Sequence, residues 1–265
     1  MYFKGEQKIF KMQTRYKYLT DNRWNIIKQF LNWQRKRKLN LRLVFDAILY
    51  VTRSGIQWRN LSKKDYPDWQ AIYYYFDKWK KDGTLEKINL ALNRLEREQK
   101  GRKPTPSLAL VDSQSIKLMP MIYEHRGTDG HKKVNGRKRH ILVDTQGRIY
   151  STFVHAANLH DSPQGVNLLE NLFLYNDRLE AILGDKTYRG TFAQAVRDAG
   201  LKFSTPQRLA GTRGFVVEAK RWVVERSFAW LNFYRRLVVD YEHTPQSASA
   251  FIILANISMV ISKIA

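Results

Sequence analysis

The chain has 265 residues, 43% hydrophobic and 13% aromatic, which is enough to bury a core and excludes wholesale disorder. Its 46 Lys and Arg against 24 Asp and Glu leave a net charge of +22, an excess that asks for a polyanionic partner: nucleic acid first, an anionic membrane surface second. The absence of cysteine excludes disulfides, thiolate zinc sites and cysteine nucleophiles together.

The basic leader, residues 1–18, contains no continuous apolar segment of the kind a secretory signal needs. Residues 19–100 then show helical spacing throughout. Asp21 precedes Trp24, Ile27 and Leu31, and a second helix places Leu41, Val44, Phe45, Ile48 and Leu49 on one face. Asp68 opens a third helix with Ile72, Tyr73, Phe76 and Trp79 in phase, and Thr84 begins a fourth through Leu85, Ile88, Leu92 and Leu95. Residues 1–100 hold 23 Lys or Arg against 10 acids, whereas the remaining 165 hold 23 against 14, so the helical part is more than twice as positive per residue. Ser54 to Trp58 reads as a turn between two helices, consistent with a helix-turn-helix. Its base-contacting candidates are Gln70, Tyr74, Lys78 and Lys81.

A Gly- and Pro-bearing linker at 101–107 marks a change of pattern. From residue 108 to 265 short apolar runs alternate with helices. Strands are expected at 108–112, on both sides of the DTQG turn (144–147), at 179–183 and around 202–204. Helices are expected at 163–173, 191–199, 215–238 and 247–263. The last is the most apolar stretch, but Asn256 and Ser258 interrupt it, so it reads as a buried helix of a soluble chain rather than a membrane span. The fold class is α/β with a mixed sheet, preceded by an all-α segment.

Three acids stand out by position. Asp112 follows the apolar run Leu108–Val111, and Asp185 lies two residues past the run ending at Leu183, where α/β proteins place their sites. A solvated carboxylate ending a strand accounts for either one equally well. Glu225 sits on a helix whose angular arrangement puts Arg221, Asn232 and Arg236 on its own side and Val216, Val223, Trp230 and Tyr234 opposite. A solvated stripe with an Arg221–Glu225 ion pair explains that pattern too. Asp144 suits a turn, and Asp161 and Ser162 before Pro163 suit a helix start. His155 and His160 lack a zinc-ligand pattern, and neither HEXXH nor GxxxxGK[ST] is present.

Five stretches, DAILYVTRSGIQWRNL, VDSQSIK, GRKRHILVDTQG, GDKTYRG and RWVVERSFAWLNFYRRLVVDYE, together resemble the DDE transposases of bacterial insertion sequences, of the insertion-sequence-5 family. They run in that family's order from about residue 40 to 242. The resemblance implies a ribonuclease-H-like catalytic domain preceded by a small helix-turn-helix-like domain that recognises terminal inverted repeats. It also implies that Asp112, Asp185 and Glu225 hold two Mg²⁺, for which Mn²⁺ may substitute. Two positions depart from the wider pattern: Glu218 and Asn232 stand where related transposases carry Tyr and Lys. The grip on DNA then falls to Arg226, Arg235 or Arg236.

Hard carboxylate oxygens suit Mg²⁺, and two ions about 3.5–4 Å apart stabilise both the entering and the leaving oxygen of an in-line phosphoryl transfer. The implied activity is cleavage at the element ends and joining to target DNA. Phosphate contacts are expected from Lys132, Lys133, Arg137, Lys138 and Arg139, from Lys186, Tyr188 and Arg189, and from Arg221, Arg226, Arg235 and Arg236. A solvated basic strand edge is the alternative for the first group. The expected partner is double-stranded DNA in the bacterial cytoplasm, at the nucleoid. Joining two element ends implies at least a homodimer. The competing function is a catalytically inactive, domesticated DNA-binding regulator.

Overall fold

In a computed structural model of the chain, residues 18–35, 38–170, 172, 177–205 and 221–264 are described. All but the last residue of the leader lies outside them, as do Glu218 and the rest of 215–220.

The N-terminal helices form where their caps are. Helix α1 (Asp21–Ile27) starts from Thr20, whose hydroxyl accepts from the Arg23 N–H, rather than from Asp21. Helix α2 (Leu41–Ser54) is capped by Asn40 and closes on Gly55, which adopts φ 70° and returns its N–H to Val51 O. Asp68 caps α3 (Trp69–Lys81) through the Gln70 N–H, and α4 is Thr84–Gln99. The stretch at 101–107 turns the chain into the sheet without dividing the core. Helices α2–α4 share one apolar cluster with the elements that follow.

The sheet is built from β1 (Leu108–Lys117), β2 (Gly127–Asp129), β3 (Val134–Asp144), β4 (Ile149–Ala156), β5 (Ala181–Leu183) and β6 (Lys202–Ser204). β4, β3 and β1 form an antiparallel meander, β2 adds to the end of β3, and β5 and β6 continue from β1 in parallel. Gly147, at φ 83°, makes the tight β3–β4 turn, and a Cβ there would lie 2.7 Å from Ser227 Oγ. Between β4 and β5 stands α5 (Asp161–Gly165), continued by a 3₁₀ turn to Leu169. Helix α6 (Thr191–Asp198) joins β5 to β6.

The period of two assigns the strands' residues to two faces. Leu110, Ile141 and Val143 join the cluster under α2–α4 and the two last helices, α7 (Arg221–Leu231) and α8 (Pro245–Ile264). Ala109, Val111 and Leu142 join a second cluster with Leu168, Phe192 and Val196 on the opposite side. By length and composition α8 is apolar enough to cross a membrane, but Phe251, Leu254, Ala255 and Ile257 are fully buried in the core, as expected of a central helix. The expected helix 215–238 is shorter: α7 ends at Leu231 and a separate 3₁₀ turn holds Arg235–Leu237.

One buried polar knot fastens helices to sheet. Asn89 and Asn93, one turn apart on α4, both donate to Ile149 O at 2.8 Å. Asn256 of α8 donates to Asn89 Oδ1 and Asn93 Oδ1 at 2.6 and 3.0 Å and accepts from Ile149 N–H at 3.2 Å. Replacing Asn256 by Ala leaves three buried groups without these partners, at about 1–3 kcal/mol each. Asn256→Ala is therefore expected to lower unfolding free energy by at least about 3 kcal/mol. Urea unfolding followed by circular dichroism measures this, and a loss below about 1 kcal/mol would show that water replaces the knot.

Candidate active site

Strand pairing sets two of the carboxylates level. β1 and β5 run parallel with Leu110 opposite Leu183, and Asp112 and Asp185 each follow two residues later. Gly184 permits this approach, since a Cβ there would lie 2.7 Å from Val111 Cγ1. Asp112 shares the face of Leu110, the side on which Val223, Val224 and Phe228 of α7 pack. Glu225 lies on that same helix and is exposed. Among the described residues, no three His, Asp or Glu side chains are gathered closely enough to hold an ion. Asp112 Oδ1 accepts from the Ser113 N–H at 2.7 Å, and Asp185 Oδ1 from the Thr187 N–H at 2.9 Å. The donor set, one aspartate within β1 and one just past β5 with a glutamate on the covering helix, suits a hard divalent cation.

The polar stripe on the last helices is corrected. Because α7 stops at Leu231, Asn232 and Arg236 do not continue the face of Glu225. Arg236 is buried, with Nε 2.7 Å from Glu242 Oε1 and its guanidinium over the rings of Tyr241 and Phe251. The side chain of Arg221 lies outside the described residues.

Behind β1 stands a buried polar cluster that the sequence reading did not find. His140 Nδ1 is 2.5 Å from Tyr188 Oη, and His140 Nε2 is 2.6 Å from His155 Nε2. His155 Nδ1 is 2.8 Å from Ala156 O. With both rings neutral one assignment satisfies all three contacts. The Tyr188 hydroxyl donates to His140, His140 donates to His155, and His155 donates to the carbonyl. Burial pushes His140 down to about 3, with the neighbouring His155 adding to the effect, and burial lowers His155 too. Asp161 flanks the cluster, bound by Lys138 at 2.7 Å and by Ser113 Oγ at 3.0 Å. Burial opposes its charge, but Lys138 and Ser113 hold its pKa below the usual value. Asp161 therefore serves this cluster, and it is the His160 side chain that accepts from the Ser162 N–H. The phenol of Tyr188 is raised by burial first and then by Asp112, Asp161 and Asp185, which places all three carboxylates in its electrostatic neighbourhood. The signal was present in the hairpin: pairing across the DTQG turn sets Lys138 opposite His155, and so His140 one diagonal away.

The expected phosphate contacts divide by exposure. Lys132, Lys133, Lys186, Arg189 and Arg235 are exposed, as are Gln70, Tyr74, Lys78 and Lys81 on one face of α3. Lys81 also pairs with Asp77 at 2.6 Å. Arg226 lies between the rings of Trp222 and Trp230, 4.5 Å from each. Arg137, Lys138, Arg139, Arg236 and Tyr188 are buried and are not surface contacts. Arg137 binds Asp240 and the carbonyls of Glu124, Glu242 and His243, while Arg139 binds Gln114 and Leu237 O. Desolvated cations need such acceptors, so these strand arginines clamp the 237–243 segment to the sheet.

Residues 103–261 match the family described as "Transposase DDE domain", and residues 19–89 match "Putative transposase of IS4/5 family". Among curated proteins, the chain is 28% identical over 125 residues to a "Putative transposase for insertion sequence element IS402" of Burkholderia cepacia, covering 44% of this chain and 59% of that one. It is 31% identical over 80 residues to "Uncharacterized protein y4sN" of Sinorhizobium fredii, covering 29% and 63%. The matched regions thus span about three fifths of these relatives' lengths. Among solved structures, the catalytic core domain of BIV integrase is similar at 16% identity and a TM-score of 0.36, over 57% of this chain and 82% of that one.

Two measurements test the structural assignments made here. Arg236→Ala is expected to cost about 3 kcal/mol of unfolding free energy, because it leaves the buried Glu242 without its partner; an unchanged urea midpoint would return Arg236 to the surface. His140 provides a pH test. The unfolded chain binds its proton with a pKa near 6.5 and the folded chain near 3, so protonation favours unfolding. The stability from neutral His140 is complete above pH 6.5 and declines by about 1.4 kcal/mol per unit as pH falls toward 3. His140→Gln should flatten that slope, and an unaltered slope would show that His140 protonates freely in the fold.

Proposed function

The chain belongs to the DDE-domain transposases, and on that premise we propose that it binds the terminal inverted repeats of an insertion sequence, cleaves at the element ends and joins them to target DNA. The observation that carries this reading is the level placement of Asp112 and Asp185 on paired parallel strands, with Glu225 on the helix covering the same face. Its ribonuclease-H-like architecture is a mixed α/β sheet with preceding helices. In the proposed site Asp112, Asp185 and Glu225 would together hold Mg²⁺. When bound, such ions polarise the phosphate and stabilise charge on the entering and leaving oxygens.

The chain's own contribution is arrangement. β1 and β5 hold two carboxylates at one level, and the Tyr188–His140–His155 cluster braces the turn that carries Asp185 from behind. Lys186 and Arg189, exposed directly after Asp185, supply positive charge where a phosphate would approach. The exposed row Gln70, Tyr74, Lys78 and Lys81 on α3 is the proposed surface for repeat recognition. Holding two element ends calls for at least two copies of the chain, working on DNA in the cytoplasm.

Asp185→Asn separates enzyme from binder. The amide keeps the shape but is a poor ligand for the ion that orients attack. Mg²⁺-dependent nicking of a repeat-end duplex is expected to fall at least about a hundredfold. Affinity for the same duplex in EDTA should stay level or rise, since one negative charge facing phosphate is lost. Nicking retained by the folded variant would remove Asp185 from the active site; binding without nicking by the wild type would favour the regulator.

A further inference from the structure

A cleft of about 230 Å³ opens where the ends of α2, α7 and α8 meet the β3–β4 turn, and its walls include Arg53, Arg148, Trp230, Phe233, Tyr234 and Lys263. We propose that this cleft binds a phosphate group, at a point on the molecule separate from the Asp112–Asp185 carboxylates. The DNA reading above supplies the first source of that phosphate, a strand backbone; a free phosphate ligand is the second.

Arg148 is the central observation. It is 2% exposed, and Glu96 grips only two of its nitrogens, Nε at 2.5 Å and Nη2 at 2.8 Å. Among the described residues, the remaining nitrogen, Nη1, is buried with no hydrogen-bond partner. A desolvated guanidinium N–H without an acceptor is costly, and native proteins rarely leave one unless an ion or ligand completes it. The Glu96 fork also fixes the guanidinium plane, so Nη1 cannot turn to another acceptor without breaking that pair.

The surroundings have the sign an oxyanion requires. Three cations crowd one indole: Arg226, Arg148 and Lys263 stand 4.5, 5.2 and 5.4 Å from the Trp230 ring. Arg53 lies over Tyr234 at 5.1 Å on the opposite wall. Glu96 is the acid bound to Arg148, and Lys100 shares it at 2.6 Å, so its charge is already divided. Burial and then Arg148 push the Lys263 ammonium below its usual pKa, as expected of a cation waiting in like-charged company. A phosphate offers several acceptor oxygens and neutralises that crowding. Phe233, 65% exposed at the rim, adds an apolar wall for the sugar or base that accompanies it.

The test uses the full chain and the variants Lys263→Gln and Arg53→Gln. Both side chains stand at the mouth, outside the Glu96 fork, and thermal unfolding confirms that each variant folds. Binding of a fluorescein-labelled repeat-end duplex is measured in EDTA over a salt series, so nicking plays no part. In a second arm, pyrophosphate is titrated against Tm. If the phosphate is a strand's, the double variant should bind duplex about tenfold or more weakly, with a salt slope shallower by about one to two. If it is a free ligand's, pyrophosphate should raise wild-type Tm and leave the double variant's unmoved, while the duplex arm stays the same for both. Wild-type affinity and slope in the double variant, together with no Lys263-dependent effect of pyrophosphate, would overturn the proposal. Wild-type indifference to duplex would instead count against the DNA reading, and the pyrophosphate arm would still decide the cleft.

Discussion

The peptide group of Ile149 begins a strand inside an apolar layer, where an unpaired N–H or C=O is costly. Asn89, Asn93 and Asn256 satisfy it from two different helices and satisfy each other as they do so. Apolar contact is non-directional and would tolerate α4 or α8 sliding over the sheet, whereas three hydrogen bonds to one residue, linked by two more among the asparagines, fix their register. Beside the knot, Arg97 pairs with Asp144 at 2.6 Å and Arg148 with Glu96, both across the same α4–sheet seam. The helical N-terminal part and the sheet are thereby one packed body, and the level of β4 and β3, hence of β1, is set from the helix side.

That seam also explains why net charge is a poor map of DNA contacts. The chain carries +22, but Arg97, Arg137, Arg139, Arg148 and Arg236 are all buried and engaged with acids or carbonyls. A guanidinium's five donors in a rigid fork make it the cation best suited to interior clamps. In GRKRH, three consecutive basic residues on a strand looked like a phosphate-facing row. In a sheet covered on both faces, alternation instead sends Arg137 and Arg139 to one interior and Lys138 to the other. Exposure, not count, separates Lys132 and Lys186 from these.

Local signals were the legible ones. Asp68 and the DTQG turn announced a cap and a hairpin because each acts within a few residues, whereas the Asn40 cap went unread. Asp112 and Asp185 were legible as acids following apolar runs, but the strand expected to end at Asp112 runs on to Lys117, because β3 pairs with it that far. Their equal level was not, since it depends on a parallel register formed across some seventy residues. The extent of α7 was misjudged for a related reason. Helical phase continues through Asn232 and Arg236, but a buried Arg236–Glu242 pair and Tyr234 at 3% exposure draw the chain into a turn that tertiary packing, not propensity, selects. The two histidines escaped notice because His140 was read as part of a basic run and His155 was compared with its sequence neighbour His160, not with its neighbour across the hairpin.

β1 therefore separates two kinds of chemistry by one residue of pleat. Leu110 and Asp112 share the face toward α7, the helix that carries Glu225. Val111 and Ser113 look the other way, where Ser113 meets Asp161 and the histidine cluster closes around Tyr188. A charged, solvent-reaching acid and a neutral, buried hydrogen-bond chain can then stand back to back without competing for the same donors. Burial disfavours an imidazolium at His140 and at His155 alike, so the hydrogen-bond chain behind the strand stays neutral while Asp161 keeps its charge against Lys138.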